Sequence, residues 1–169
     1  MKRLLIVWHS RTGAARQMAE AAARGAAAAA AQLEQPDDLA VTLRRAADAG
    51  VDEVLASDGL LFCAPENLAS LSGEMKEFFD RCYYGVLDRI AGRPYACLVS
   101  AGSDGAGAAR QVERICTGWR LRPVAPALIV NLGAQTPDQI LASKTVTPAE
   151  LARCEEVGGL LAGLLLTAG

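Results

Sequence analysis

The stretch Leu4-Leu5-Ile6-Val7-Trp8-His9-Ser10-Arg11-Thr12-Gly13 decides how the rest of the chain is read. The continuous apolar run from Leu4 to Trp8 predicts a strand covered on both faces. It breaks into a hydroxyl-rich turn, and an Ala-rich helix is predicted from Gly13 to Ala31. Ser10 and Thr12 offer hydroxyls, Arg11 and Arg16 offer positive charge, and the turn exposes backbone N–H groups. The positive end of the helix dipole adds roughly 0.3–1 kcal/mol per anionic charge when exposed and up to ~2 when partly buried. A phosphate group at the top of the first strand is the predicted ligand.

Working outward, the chain has 169 residues, enough for one domain with a full core. A single domain over residues 1–169 is expected, because no repeat and no linker marks a second. The net charge of −2 gives no electrostatic case for a nucleic-acid or anionic-membrane partner. Cys63, Cys82, Cys97, Cys116 and Cys154 form no CxxC pair, and His9 is the single histidine. That set argues against a disulfide framework and against a metal site. The cysteines read as reduced, mostly buried thiols of a cytoplasmic protein. The start Met1-Lys2-Arg3 mimics a signal peptide, but its apolar run ends too soon and no small-residue cleavage site follows. The run Val157–Gly169 is too short to span a bilayer and reads as a buried last helix.

Apolar runs and helical patterns alternate throughout. Strands are predicted at Leu4–Trp8, Leu39–Leu43, Gly59–Cys63, Tyr95–Ala101 and Val124–Val130, with alternating Leu39–Leu43 as an edge. The first helix lacks bulky residues, which implies close approach to the sheet. Asp52–Ala56 reads as a short helical turn. Over Gly73–Tyr84, Met75, Phe78, Phe79 and Cys82 recur at i, i+3, i+4, i+7, a core-facing stripe. The helix Asp104–Thr117 carries Ala108, Val112, Ile115 and Trp119 in the same way, with Gly118 suited to its C-terminal cap. Thr147-Pro148-Ala149-Glu150 predicts a capping box with Pro at the first helical position. Such alternation implies an α/β fold: an open, doubly wound sheet of five parallel strands in order 2-1-3-4-5, with helices on both faces. Asn131–Val146 is the one long irregular stretch.

In such sheets, ligands bind beyond the carboxyl ends of the strands where strand order reverses. Three loops leave those ends near the switch: Ser10–Ala15, Ala64–Ser72 and Gly102–Gly107. The first supplies phosphate donors. The second offers a rigid turn with a carboxylate, an amide and one apolar side chain (Pro65-Glu66-Asn67-Leu68). The third is glycine-rich and lets backbone approach a flat ligand.

Ser10-Arg11-Thr12-Gly13 resembles the phosphate loop of flavodoxins and of the related NAD(P)H-dependent FMN reductases and quinone reductases, which usually reads Ser/Thr-x-Thr-Gly-x-Thr. Pro65-Glu66-Asn67-Leu68-Ala69-Ser70-Leu71-Ser72-Gly73-Glu74-Met75-Lys76-Glu77-Phe78-Phe79-Asp80-Arg81 resembles the loop and helix beside the flavin ring. Ser100-Ala101-Gly102-Ser103-Asp104-Gly105 resembles the segment lining its other edge. The likeness covers nearly the whole chain and implies a flavodoxin-like fold with FMN as cofactor. It places the phosphate on Ser10, Arg11, Thr12, Gly13, Ala14 and Ala15. It places the ring between Pro65, Glu66, Asn67 and Leu68 on one side and Ala101, Gly102, Ser103, Asp104 and Gly105 on the other. It implies an oxidoreductase passing electrons from NAD(P)H through FMN to a quinone, a flavin or another acceptor. The alternatives are a flavodoxin-type carrier docking a redox protein, and a binding module that has lost the flavin. The flavin carries the chemistry, so no catalytic residue is assigned. Ala15 departs from the pattern: one hydrogen bond to a charged oxygen, about 1.5–3 kcal/mol, is missing. The charge of −2 is less acidic than is typical of electron carriers and tilts the reading toward an enzyme. Reductases of this kind are often dimers or tetramers, and 131–146 is the expected contact for a homo-oligomer.

Plainer readings stand beside these. Thr12 can be a helix cap as well as a phosphate ligand. His9 reads as a structural residue at a strand end, with catalysis as the alternative. Glu66 reads as a solvated loop carboxylate. Tyr83 and Tyr84 suit helix-end packing as well as an interface. Cys116 and Arg122 have the spacing of a tyrosine-phosphatase signature, but Cys116 falls at a helix end rather than in a strand-to-helix loop. No nucleoside-triphosphate loop occurs, and Gly105-Ala106-Gly107 lacks the third glycine of a dinucleotide fingerprint.

Overall fold

The opening apolar run forms a strand buried from Leu4 to Val7, and the predicted alternation follows it through the chain. The computed structural model describes residues 1–168. In chain order the elements are β1 (Lys2–Trp8), α1 (Ala14–Gln32), a 3-10 turn (Pro36–Asp38), β2 (Leu39–Arg45), α2 (Val51–Ala56), β3 (Gly59–Asn67), β4 (Ser70–Leu71), α3 (Gly73–Val86), β5 (Pro94–Ala101), α4 (Ala106–Gly118), β6 (Arg122–Pro123), β7 (Leu128–Asn131), α5 (Pro137–Leu141) and α6 (Pro148–Thr167).

Parallel pairing runs β2-β1-β3-β5, and β6 and β7 lie in succession along the outer edge of β5. Pro94 pairs with Arg122 and Tyr95 with Pro123, and the ladder resumes with Leu98–Leu128 and ends at Ala101–Asn131. The five-position order 2-1-3-4-5 is therefore present. The expected strand Val124–Val130 is corrected to these two shorter pieces, interrupted around Pro126, which has no N–H to give a ladder. Two further details differ from expectation. β3 continues past Cys63 to Asn67 and turns back as β4, an antiparallel hairpin. Gly118 is the last residue of α4 rather than its cap. Trp119 follows as the cap, and Arg120 takes the left-handed φ of +58°. Within 131–146, Thr136 and Gln139 form a capping box that starts α5. At α6, Thr147 accepts from the Glu150 N–H as predicted, while the Glu150 carboxylate pairs with Arg153.

Each face of the sheet carries its own core. Leu5, Val7 and Phe62 point toward α3 and α4, where Phe78, Phe79 and Trp119 close an aromatic cluster. Phe62 lies 4.8 Å from Phe79, and Phe79 lies 5.2 Å from Trp119 in an edge-on arrangement. The Met75, Phe78, Phe79, Cys82 stripe is buried, as its spacing predicts. Leu4, Ile6, Leu61 and Leu98 point to the other face, toward α1 and α6. α1 has few bulky residues, and α6 turns glycines toward it, so the two helices meet almost backbone to backbone. A Cβ at Gly158 would stand 1.9 Å from the Ala22 carbonyl oxygen, and one at Gly25 1.9 Å from that of Glu155. All five cysteines are buried and free. Burial pushes the Cys97 thiol up to about 12 and that of Cys154 to about 11, so both stay protonated and unreactive. No helix among the described residues is long and apolar enough to cross a membrane.

The close α1–α6 approach makes opposite predictions for two glycines of one helix. Gly→Ala in an open helical position gains up to about 1 kcal/mol. Gly163→Ala, with nothing within 4 Å of the new methyl, should gain stability in urea unfolding. Gly158→Ala should instead lose about 1–3 kcal/mol, because the helices must part.

Candidate functional site

The segments Ser10–Ala15, Ala64–Ser72 and Gly102–Gly107 all lie at the carboxyl ends of β1, β3 and β5, three strands that pair side by side, and Ala64–Ser72 includes the β3–β4 hairpin. Their geometry turns on how helix N-termini are satisfied. The first N–H groups of a helix have no acceptor within it. Among the described residues, α2 has Glu53, α3 Glu74, α5 Thr136 and α6 Thr147 in or before the first turn. α4 has no acid within its first turn and only the exposed Asp104 just before it, and the Glu66 carboxylate reaches it from the β3 loop. Glu66 accepts from the Gly105 N–H at 2.9 Å and from the Ala108 N–H at 3.1 Å. The reading of Glu66 as a solvated carboxylate is thereby corrected: it is half-buried and plugs the positive end of α4.

α1 is different. Its cap is Gly13, at φ +100°, with no side-chain cap and no acidic residue in the first turn. Thr12 is therefore not a helix cap. The Ser10 hydroxyl oxygen accepts from the Gly13 N–H at 3.1 Å, which shapes the turn and leaves the Ser10 proton to donate elsewhere. Arg11 is exposed, whereas Arg16 is drawn along the helix surface to Glu20 at 2.9 Å and is not aimed at the turn. Ala14 and Ala15 are buried, and the Cys63 thiol donates to the Ala15 carbonyl at 3.1 Å. α3 has no side-chain cap either, but it carries Glu74 in its first turn; among the described helices of eight residues or more, α1 alone has neither a side-chain acceptor for its first-turn N–H groups nor an acid there.

The second loop is a hairpin. Glu66 pairs with Leu71 and Asn67 with Ser70, so Leu68 and Ala69 form a two-residue turn. Both have positive φ, +53° and +62°, as in a type I′ turn. Neither is Gly or Asn, so each costs about 1–2 kcal/mol. Leu68 is 101% exposed, a strained apolar side chain held out in solvent. The hairpin leans on α4: Gln111 accepts from the Ser70 hydroxyl and the Leu71 N–H, both at 2.8 Å. A Cβ at Gly107 would meet the Ala69 carbonyl oxygen at 2.1 Å. The second and third loops thus touch and share one rim. Asn131 anchors the third loop through its amide and the Ser103 carbonyl, and the exposed Asp104 caps Ala106 at 3.2 Å.

Two arrangements were invisible in the sequence. Gln17 donates to the carbonyls of Gly13 (3.0 Å) and Lys144 (2.8 Å) and accepts from the Val146 N–H (3.0 Å). The Lys144 N–H adds a bond to the Thr12 carbonyl at 2.8 Å, so the 131–146 strap is fastened to the first turn. The strap also faces the third loop, since a Cβ at Gly102 would meet the Ala134 carbonyl oxygen at 2.6 Å. The second arrangement centres on His9, which is 8% exposed. Its Nδ1 lies 2.8 Å from the Ser72 hydroxyl, and its Nε2 lies 2.8 Å from a Glu74 carboxylate oxygen. The carboxylate only accepts, so Nε2–H donates to it and the Ser72 hydroxyl donates to Nδ1. A serine, an imidazole and an acid in a chain resemble a hydrolytic triad. Ser72 is 1% exposed, however, and presents no face to a substrate.

The family described as NADPH-dependent FMN reductase matches residues 9–136. A flavodoxin of Aquifex aeolicus (strain VF5) is 33% identical over 107 residues, covering 63% of this chain and 54% of that protein. An NAD(P)H dehydrogenase (quinone) of Acidithiobacillus ferrooxidans is 32% identical over 94 residues, covering 48% of this chain and 47% of that protein. The chain thus spans about half the length of the curated relatives it matches. Among solved structures, a flavodoxin from the domain Archaea superposes with TM-score 0.75 at 16% identity, covering 97% of this chain and 99% of that one.

Burial lowers the His9 pKa, as do Arg11 and Arg45, against an opposing pull from Glu74. The unfolded chain then takes up its His9 proton near pH 6.5, before the folded chain does. Between that value and the lower folded one, the unfolded state holds more protons, so stability falls as pH drops. His9→Gln should flatten the acid-side decline in unfolding free energy measured between about pH 7 and 5. An unchanged decline would show that His9 does not titrate in this way.

Proposed function

The chain belongs to the NADPH-dependent FMN reductase family, and on that premise we propose that it is an FMN-dependent oxidoreductase. In this reading it passes electrons from NAD(P)H to a quinone, a flavin or another small acceptor. The observation that carries the reading is the N-terminus of α1, whose first-turn N–H groups have no side-chain acceptor and no acid beside them among the described residues, the arrangement that suits an anion. The FMN phosphate would take the first-turn N–H groups there, with the Ser10 and Thr12 hydroxyls donating and Arg11 adding charge. Ala14 and Ala15 bring only backbone to this contact.

The joined second and third loops support a ring-binding rim rather than a slot. Pro65, Glu66, Asn67 and Leu68 would supply one part of the rim, and Ala101, Gly102, Ser103, Asp104 and Gly105 the other. Glu66 keeps the two loops at a constant separation and, by plugging α4, leaves α1 as the anion-binding end. Leu68 offers an apolar face to a flat ring. Bound there, FMN supplies hydride and electron transfer, and the chain binds, orients and shields it. The buried, free thiols support a reducing, cytoplasmic setting. Exposed Ile140 and Leu141 on α5 support the strap as a contact between copies of the chain.

Two measurements test this reading. Reconstituted with FMN and mixed anaerobically with NADPH, the protein should lose its visible flavin absorbance. A flavin that stays oxidised until a reductase is added would identify an electron carrier instead. Leu68→Asn should relieve the left-handed strain and raise the unfolding free energy of the apo-protein by about 1 kcal/mol. The same variant should bind FMN several-fold more weakly, a trade of function for stability. Unchanged FMN affinity would remove Leu68 from the ring site.

A further inference from the structure

His9 joins the two ends of the proposed site. Its backbone N–H donates to the Cys63 carbonyl at 3.0 Å, which ties the residue before the Ser10–Gly13 turn to the sheet. Its imidazole reaches Ser72 and Glu74, both 2.8 Å away, at the start of α3. Ser72 also closes the hairpin, because its N–H donates to the Pro65 carbonyl at 3.1 Å. It begins α3 as well, its carbonyl accepting from the Lys76 N–H at 3.0 Å. The hairpin is thus held toward α4 by Glu66 and Gln111 and toward the first turn by His9. Its tip carries two strained residues, and strain of that kind persists only where the surroundings over-determine the backbone.

We propose that His9 is a positioning residue that sets the spacing between the Ser10–Gly13 turn and the 65–72 hairpin. The phosphate and ring of one FMN are then gripped at the same time. The proposal rests on the flavin reading above. A ligand with two ends joined by a chain of given length gains from the second contact only when the two subsites are correctly spaced. Loosening the Ser72–His9–Glu74 chain leaves each subsite in place but loses their register. The loss therefore falls on the ligand that uses both ends.

The test compares FMN with riboflavin, which has the ring and no phosphate, by quenching of flavin fluorescence at pH 7.5. Ser72→Ala lies at the hairpin base and leaves every residue of the turn unchanged. It should weaken FMN about tenfold and riboflavin less than about threefold, a difference of the size one buried hydrogen bond supplies. His9→Asn, whose amide oxygen stands near the Nδ1 position, keeps an acceptor for Ser72 and should retain most of the FMN preference. His9→Ala should lose that preference. Thermal unfolding of each apo-variant separates folding defects from binding, and Ser72→Ala with His9→Asn suffices if His9→Ala does not fold. Equal weakening of both ligands, or an unchanged FMN-to-riboflavin ratio in Ser72→Ala, overturns the positioning role. Wild-type protein that binds riboflavin and FMN alike also overturns it, while leaving a flavin site. Wild-type protein that binds neither overturns the flavin reading itself.

Discussion

Every helix that starts at the carboxyl edge of this sheet must find acceptors for its first N–H groups, and the rest of the site depends on how each does so. An N–H turned away from water without a partner costs about 1–3 kcal/mol, and side chains are recruited at the starts of α2, α4, α5 and α6. α4 is satisfied across space by Glu66, and that one carboxylate draws the β3 hairpin against the third loop. α1 is satisfied by nothing in its own first turn. The same requirement therefore closes one helix end and opens the other. Among the described helices that start at this edge, α1 is the one with neither an acid nor a side-chain acceptor in its first turn.

Around that opening the molecule is unusually well braced. Gln17 holds the strap to the first turn, His9 holds the hairpin to the end of β1, and Gln111 holds the hairpin to α4. Below it, α1 lies close enough to α6 that glycine is required on both helices. The small residues of α1 allow its axis to approach both the sheet and α6, so its N-terminus is held with little freedom to shift. A site built on rigid elements keeps the spacing its ligand needs. The strained Leu68–Ala69 turn is tolerated because so many contacts hold the hairpin around it.

Much of the architecture was legible. The apolar runs at Leu4–Trp8, Gly59–Cys63 and Tyr95–Ala101 marked the central strands, because strands buried on both faces leave no room for polar residues. The Met75, Phe78, Phe79, Cys82 stripe marked the inward face of α3, because helical periodicity is a local property. The turn Ser10–Gly13 between β1 and α1 was legible for the same reason: its hydroxyls and glycine lie within a few residues of one another. The hairpin was not. A type I′ turn announces itself by Asn-Gly or Gly-Gly, and Leu68-Ala69 has neither. The end of α4 was misplaced because the left-handed position falls on Arg120 rather than on Gly118.

By itself, then, the sequence determined the alternation of strands and helices, the two-faced core and the clustering of hydroxyls and charge in Ser10–Gly13. Each of these follows from side-chain pattern or composition within a short window. Only the tertiary structure decided that Glu66 plugs α4, that Gln17 clasps Lys144 and Val146, and that His9 bridges Ser72 and Glu74. These partners are 39 to 129 positions apart, and polar side chains carry no periodic signal of where they will bond. Such contacts exist only after the apolar pattern has folded the sheet and brought its carboxyl edge together.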